Sequence, residues 1–232
     1  MKLLAIDCST EACSAALSID GELACEQFEL AAREHTQRLL PMVDSLLQQA
    51  GISLTQVDAI AFGRGPGSFT GLRVCLGAVQ GLAFGADLPV VPVSTLAALA
   101  QTAIADQSLS PPPSARLVSV LDARMDEVYW GHYRISDGLA IGDGAEQLSA
   151  PERLVVAVDG DGPVIAVGSG WRYADRIPGA ARVSYADGEL LPRASAVAIL
   201  AERDARNGKL CRADKALPSY LRDEVAWKKP TR

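Results

Sequence analysis

The sequence predicts an α/β protein with two lobes. Short apolar runs typical of strands alternate with stretches of helical periodicity in each half of the 232-residue chain, a rhythm typical of α/β folds. A polar, proline-rich stretch, DQSLSPPPSA at residues 106–115, separates the halves. We therefore predict a first lobe at residues 1–105 and a second at residues 106–232, with the C-terminal segment free to pack back on the first lobe.

The composition predicts a globular protein of the cytoplasm. The chain is 49% hydrophobic and 22% charged. Its net charge of -6 does not attract a nucleic-acid backbone, so contact with RNA needs a partner or a local basic patch. No run reaches the roughly 18 apolar residues of a membrane helix, and polar residues interrupt the start where a signal peptide would be apolar. The five cysteines form no Cys-x-x-Cys pair, so no metal site is predicted.

The first half opens with the strand KLLAI. The run ACSAALSIDGELACEQFEL predicts a hairpin that turns at Asp20 and Gly21. An amphipathic helix follows over His35–Ala50, with Gly51 as its C-terminal stop. Pro41 predicts a late start or a bend in that helix, because proline removes a backbone hydrogen bond.

Further elements follow in the order strand, helix, strand, helix. QVDAIAF and LPVVPV predict strands, residues 69–84 predict the helix between them, and Ser94 can cap the helix TLAALAQTAIA. The second half restarts with four predicted strands, RLVSVLDA, EVYWGHYRI, ERLVVAV and PVIAVGSG. Ala194–Arg206 predicts a last helix, closed by Gly208.

The stretch GRGPGSFTGLR, residues 63–73, invites comparison with phosphate-binding loops. A P-loop needs a lysine after its last glycine, and none is present. Pro66 also lacks the backbone N–H that such a loop would use, and Thr70 stands where a dinucleotide fingerprint has its third glycine. The stretch is better explained as a helix entry capped by Ser68.

The helix after this stretch is apolar on two faces. Its large face includes Leu72, Cys75 and Val79, and its opposite face consists of small residues. Such a helix is covered on both sides. The pattern alone leaves two alternatives open: both faces are covered within one molecule, or the small face contacts a partner protein.

The first loop is the better phosphate candidate. Asp7, Ser9 and Thr10 follow the first strand and precede a hairpin, the order found at the phosphates of actin-like ATPases. Ser and Thr are also common in turns, so turn formation is an equal alternative.

Six motifs together resemble the bacterial TsaB (YeaZ) family over almost the whole chain: LLAIDCST, EHTQRLLPMVDSLL, GRGPGSFTGLRVCLGAVQGLAFG, PVVPVSTLAAL, LDARMDEVYWG and YLRDEVAWKK. The resemblance implies a two-lobed α/β fold of the actin/Hsp70/sugar-kinase (ASKHA, ribonuclease H-like) class. It implies a scaffold role in making N6-threonylcarbamoyladenosine (t6A) at position 37 of ANN-decoding tRNAs. The implied partners are the catalytic subunit TsaD, the ATPase TsaE and, when alone, a second copy. Contact with tRNA would be through the complex only.

The resemblance also argues against catalysis by this chain. TsaD-like proteins hold a metal with a His-x-x-x-His pair, and the matching positions here are Thr95 and Leu99, which cannot replace it. The metallopeptidase function once attached to the wider family fails for the same reason. Two alternatives remain: a weak ATPase or kinase-like enzyme of this fold, and a cell-wall role, which no residue supports.

The resemblance implies two sets of site residues. A helical interface with the TsaD-like partner would use Leu39, Val43, Leu46, Val74, Gly77, Ala78, Gly81 and Gly85. A vestigial nucleotide site would use Asp7, Ser9, Thr10, Asp122, Arg124, Gly168 and Gly170. This chain would need no cofactor of its own, with ATP or ADP binding only in the complex.

Overall fold

The first β-sheet is formed by the N-terminal half. The computed structural model describes residues 1–156 and 162–222, so most of the YLRDEVAWKK motif lies outside the described residues. The strand order is β3-β2-β1-β4-β5. β1 pairs antiparallel with β2, and β2 with β3, whereas β4 and β5 run parallel to β1. The bounds are β1 Lys2–Asp7, β2 Ala12–Ile19, β3 Glu22–Leu30, β4 Ala59–Gly63 and β5 Val90–Val93.

The second sheet repeats this plan. Its strand order is β11-β10-β6-β7-β8, and β9 adds to β7. β6 has antiparallel neighbours on one side and parallel strands on the other, as β1 has in the first sheet. This duplication confirms the predicted two-lobed α/β fold class. The bounds are β6 Arg116–Arg124, β7 Glu127–Ser136, β8 Leu139–Gly142, β9 Gln147–Ser149, β10 Val164–Val167 and β11 Val183–Asp187.

Four α-helices cover the first sheet on both faces. α1 (His35–Ala50) and α2 (Phe69–Gly85) pack on one face, in a core that includes Leu4, Ile6 and Phe62. α3 (Thr95–Ala105) and α4 (Ala194–Arg206) lie on the opposite face, in a core shared with the second sheet. Short 3₁₀ turns stand in the second lobe where the first has α1 and α2. The first lobe therefore carries the two helices on the outside of the duplicated fold.

Local signals for turns and caps are confirmed. Asp20 and Gly21 turn the first hairpin with φ of 53° and 89°, the left-handed conformations that a two-residue turn requires. The hydroxyl oxygens of Ser68 and Ser94 accept hydrogen bonds from the backbone three residues on, capping α2 and α3. Gly51 ends α1 in a left-handed conformation.

Two local predictions need correction. The late start predicted for α1 is wrong, since the helix begins at His35 and continues through Pro41 to Ala50, with Leu39 and Met42 buried in the core. The alternative, a bend at Pro41, stays a prediction. The described part of ERLVVAV is not a strand: Pro151–Arg153 form a 3₁₀ turn and the chain is irregular to residue 156. Its apolar residues Leu154 and Val156 fill the second-lobe core from a loop.

Candidate protein-interaction surface

The exposed face of α2 carries three glycines with no close neighbour in the part of the chain that the structure describes. Gly77, Gly81 and Gly85 lie four residues apart, and a Cβ built on any of them would have no neighbour within 4 Å. Gly77 and Gly81 lie in the interior of α2, where each glycine costs about 1 kcal/mol relative to alanine. No packing contact among the described residues compensates for that cost.

The two glycines at the start of α2, in contrast, are required by close packing within the chain. A Cβ at Gly71 would collide with the carbonyl oxygen of Cys8, and one at Gly67 with that of Ser9. These two glycines let α2 and its entry loop approach the end of β1. The glycines farther along the helix have no such contact with residues 1–156 or 162–222.

Large apolar side chains are also exposed on α1 and α2. Phe84 is 85% exposed on α2, and Leu40 is 50% exposed on α1. Between these helices runs a groove of about 400 Å³, lined in part by Leu47, Ile52 and Leu82. Exposed apolar side chains beside a groove are typical of protein interaction sites. We call it the α1–α2 surface and define it by Leu40, Leu47, Val74, Gly77, Ala78, Gly81, Phe84 and Gly85.

Two of the predicted interface residues on α1, Leu39 and Leu46, do not lie at this surface, which is a correction, and the third, Val43, lines the groove but is almost fully buried. Leu39, Val43 and Leu46 are 1%, 3% and 0% exposed, respectively. They belong to the core between α1 and the first sheet. The helical pattern found the apolar face of α1, and that face is covered by the chain itself. On α2, Val74 and Ala78 are half-buried beside the exposed glycines.

Asp7 is buried at the end of β1. Its Oδ1 accepts hydrogen bonds from the Ser9 backbone N–H at 3.0 Å and the Ser9 hydroxyl at 2.7 Å. Its Oδ2 has no hydrogen-bond partner in the described part of the chain. Burial raises the pKa of the Asp7 carboxyl to about 6, and the bonds from Ser9 offset part of the shift.

The rest of the first loop is used to form the turn. Thr10 Oγ1 accepts from the backbone N–H of Ala12 at 3.2 Å. His35, buried at the start of α1, places Nε2 at 3.0 Å from the Thr10 carbonyl and 3.2 Å from the Ala12 carbonyl. No sequence motif marks this role of His35, because its partners lie more than 20 residues away. These contacts fit the turn-forming alternative.

The second-lobe residues of the predicted nucleotide site already have partners within the chain. The Asp122 carboxylate accepts from the Arg124 backbone at 2.9 Å and from the Arg124 and Arg172 guanidiniums at 3.2 and 3.5 Å. A Cβ at Gly168 would press on Leu99, and one at Gly170 on Val120. Close packing therefore accounts for both glycines without a ligand.

A polar contact not foreseen from the sequence ties the lobes together. Glu146, between β8 and β9, accepts hydrogen bonds from the Ser94 hydroxyl at the start of α3 and from the Tyr133 hydroxyl, the latter at 2.8 Å. Burial raises the pKa of Tyr133 well above its usual range. Tyr133 is therefore a neutral donor to Glu146.

Comparison with known proteins identifies the family. The family model of TsaD, tRNA N6-adenosine threonylcarbamoyltransferase, matches residues 28–229. The tRNA threonylcarbamoyladenosine biosynthesis protein TsaB of Escherichia coli (strain K12) is 44% identical over 232 residues, 99% of this chain and 98% of that protein. The chain belongs to the TsaB family. The TsaB protein of Haemophilus influenzae is 41% identical over 244 residues, covering 99% of this chain and 97% of that protein.

A solved structure agrees with this assignment. The structure of YeaZ from Pseudomonas aeruginosa matches with a TM-score of 0.87 at 47% identity, covering 95% of this chain and 99% of that one. The TsaB-family fold therefore extends through both lobes. No helix in residues 1–156 and 162–222 has the length and apolarity to cross a bilayer.

The two positions that the sequence resemblance predicted to correspond to a histidine pair are interior in this TsaB-family chain. Thr95 and Leu99 are both 0% exposed on α3. Leu99 belongs to the core shared by the two sheets, and a leucine side chain cannot ligate a metal. Within the described ranges, no three His, Cys, Asp or Glu side chains are grouped so that they could hold a metal ion.

Proposed function

We propose that this TsaB-family chain is a non-catalytic scaffold and activating subunit in the formation of t6A at position 37 of ANN-decoding tRNAs. It binds a TsaD-like catalytic subunit through the α1–α2 surface, and a TsaE-like ATPase joins the pair. The observation that carries the proposal is the open stripe of Gly77, Gly81 and Gly85 on an apolar helix face.

Helix packing explains why this stripe supports a protein partner. Interaxial distances between packed helices depend on the side chains at the contact, so a strip without side chains permits an unusually close approach. Phe84 and Leu40 would be buried at the same time, and such apolar anchors dominate the energy of interfaces. The favourable contacts with the partner would then compensate for the low helix propensity of the glycines.

The same surface would form a homodimer when the partner is absent. The stripe and the groove both belong to the helix pair α1 and α2, so a second copy can present both features to the first. The homodimer and the complex with the TsaD-like subunit would therefore exclude each other.

The side chains at the positions expected for catalysis support the non-catalytic role. Thr95 and Leu99 replace the histidine pair, and the Asp122 carboxylate is held by two arginines. A chain with a net charge of -6 would approach tRNA through its partners. A role in tRNA modification also supports a cytoplasmic location.

Reconstitution of the reaction tests this function. Purified TsaD-like and TsaE-like subunits, the threonylcarbamoyl-adenylate-forming enzyme and an unmodified ANN-decoding tRNA are combined with or without this chain, and t6A is measured by mass spectrometry. We expect t6A only when the chain is present, with full activity retained by Asp7→Ala. Equal t6A without the chain contradicts a scaffold role. ATP turnover by the isolated chain that Asp7→Ala abolishes would instead establish the enzyme alternative.

A further inference from the structure

The groove between α1 and α2 has room for side chains of another molecule. Its volume is about 400 Å³, and an apolar cavity of about 150 Å³ already holds a benzene ring. Leu82, which directly follows Gly81 of the glycine stripe, lies on its α2 side, and α1 with the loop after it forms the other side. The lining residues are Leu40, Val43, Asp44, Leu47, Gln48, Ile52, Ser53, Leu54 and Leu82.

Asp44 is the one charged side chain in this lining. The sequence around the groove is uncharged, because residues 45–57 and 74–86 contain no Asp, Glu, Lys or Arg. Asp44 Oδ2 accepts a hydrogen bond from Gln48 Nε2 at 2.6 Å, one helical turn on. This neutral amide satisfies one acceptor site but leaves the negative charge of the carboxylate uncompensated. The groove therefore combines an apolar lining with a single negative charge.

The cationic side chains of the same two helices are engaged in other contacts. On α1, the Arg38 guanidinium lies 3.0 Å from the Glu34 carboxylate. On α2, the Arg73 guanidinium stacks on the Phe69 ring at 3.7 Å, at the start of the helix. With histidine counted as neutral, Arg38 and Arg73 are the only cations of α1 and α2. A second copy that covers the groove with its own helix pair therefore brings no uncommitted cation to Asp44.

The cost of covering a carboxylate depends on the partner. A charge that loses its water on association weakens the complex unless an opposite charge pairs with it. We propose that Asp44 selects the TsaD-like subunit over a second copy of this chain, because that subunit presents a Lys or Arg beside an apolar side chain that enters the groove. The inference rests on the proposed function, since it concerns the same α1–α2 surface. In the homodimer the carboxylate is covered without a cation.

Two association equilibria of the full chain test the role of Asp44. Sedimentation velocity measures the Kd of the complex with the TsaD-like subunit and the Kd of the homodimer, for the wild type, Asp44→Asn and the matched control Asp143→Asn. Asp143 is exposed between β8 and β9, so the control makes the same change in net charge in the second lobe. We expect Asp44→Asn to weaken the complex about fivefold or more and to strengthen the homodimer about threefold or more. The control should behave as the wild type does.

Two further measurements separate the charge of Asp44 from its shape. Asp44→Glu keeps the negative charge, so its complex with the TsaD-like subunit should be tighter than that of Asp44→Asn. Added salt should weaken the wild-type complex more than the Asp44→Asn complex, because ions screen the pair that only the wild type can form. Equal salt dependence of the two complexes would overturn the proposal.

Binding by the wild type distinguishes this inference from the proposed function. If the wild type binds the TsaD-like subunit and Asp44→Asn binds it equally well, selection by Asp44 is overturned and the scaffold role stands. The same holds if Asp44→Asn does not strengthen the homodimer. If the folded wild type does not bind the subunit, the proposed function fails and the inference fails with it.

Discussion

The backbone of Gly63 lies directly against the carboxylate of Asp7, so that a Cβ at residue 63 would collide with Oδ2. Gly63 ends β4 and Asp7 ends the neighbouring strand β1. The contact explains why a glycine opens the loop before α2. It also shows that the fully buried carboxyl group of Asp7 is covered by the backbone of β4.

Replacement of Gly63 by alanine should therefore destabilise the fold. We expect Gly63→Ala to lower the free energy of unfolding by about 1–3 kcal/mol, the usual range for overpacking a core. Urea denaturation followed by circular dichroism measures the loss. In the double variant Asp7→Ala/Gly63→Ala the colliding carboxylate is gone, so the cost of the glycine substitution should shrink. Strictly additive losses would refute the collision.

Asp7 should give the stability of the chain a distinctive pH dependence. Burial raises the pKa of the Asp7 carboxyl from 3.8 to about 6, so the folded chain holds the proton more tightly than the unfolded chain. The resulting stabilisation is fully present below about pH 4 and is lost as the pH rises through about 6. We expect the wild type to lose up to about 3 kcal/mol relative to Asp7→Asn between pH 4 and pH 7. Parallel urea titrations at both pH values check this, and a difference that does not change with pH would show that Asp7 is not so perturbed.

Two neighbouring leucines of α1 differ in burial and so provide a matched pair of variants. Leu39 is 1% exposed in the core, whereas its neighbour Leu40 is 50% exposed at the α1–α2 surface. Leu39→Ala should lower the free energy of unfolding by about 2–5 kcal/mol, the range for truncating a buried leucine. Leu40→Ala should leave the stability of the isolated chain within about 0.5 kcal/mol and weaken association with the TsaD-like subunit. Denaturation and binding titrations separate the two effects, and a reversed order would contradict the burial.

Replacement by alanine should affect the exposed glycines of α2 and the packed Gly71 in opposite directions. Gly77→Ala and Gly81→Ala should each raise the free energy of unfolding of the monomer by about 1 kcal/mol, because helix propensity improves and nothing obstructs the methyl group. Gly71→Ala on the same helix should lower it, since its Cβ would collide with the Cys8 carbonyl. Thermal unfolding at a concentration too low for dimers provides the comparison. Destabilisation by all three would mean that the stripe is packed within the chain.

The features predicted from sequence are those determined over short distances. The Asp20–Gly21 turn and the Ser68 and Ser94 caps need only neighbouring residues, and all were found from the sequence. The α/β class followed from periodicity for the same reason. The helical pattern does not show what covers an apolar face. Leu39 and Leu46 of α1 are buried in the core, whereas the small face of α2 is exposed.

The contacts that the sequence did not predict join residues far apart in the chain. Ser94 and Glu146 are 52 residues apart, and Arg222 and Ala123 are 99 apart. No local motif marks either pair, because each depends on how the two lobes pack. Apolar composition likewise suggested a strand in ERLVVAV, although Leu154 and Val156 reach the core from a loop. Tertiary packing thus supplied what local patterns could not.

Association with the TsaD-like subunit is the most direct test of the scaffold role. Sedimentation velocity compares mixtures of that subunit with the wild type, Gly81→Leu and the matched control Gly188→Leu. Gly188 also has open space around its Cβ position, but it lies outside α2. We expect the wild type and the control to form the complex, and Gly81→Leu to remain folded but bind at least about tenfold more weakly, a loss of about 1.4 kcal/mol. Normal association of Gly81→Leu, or no association by the folded wild type, would contradict the account.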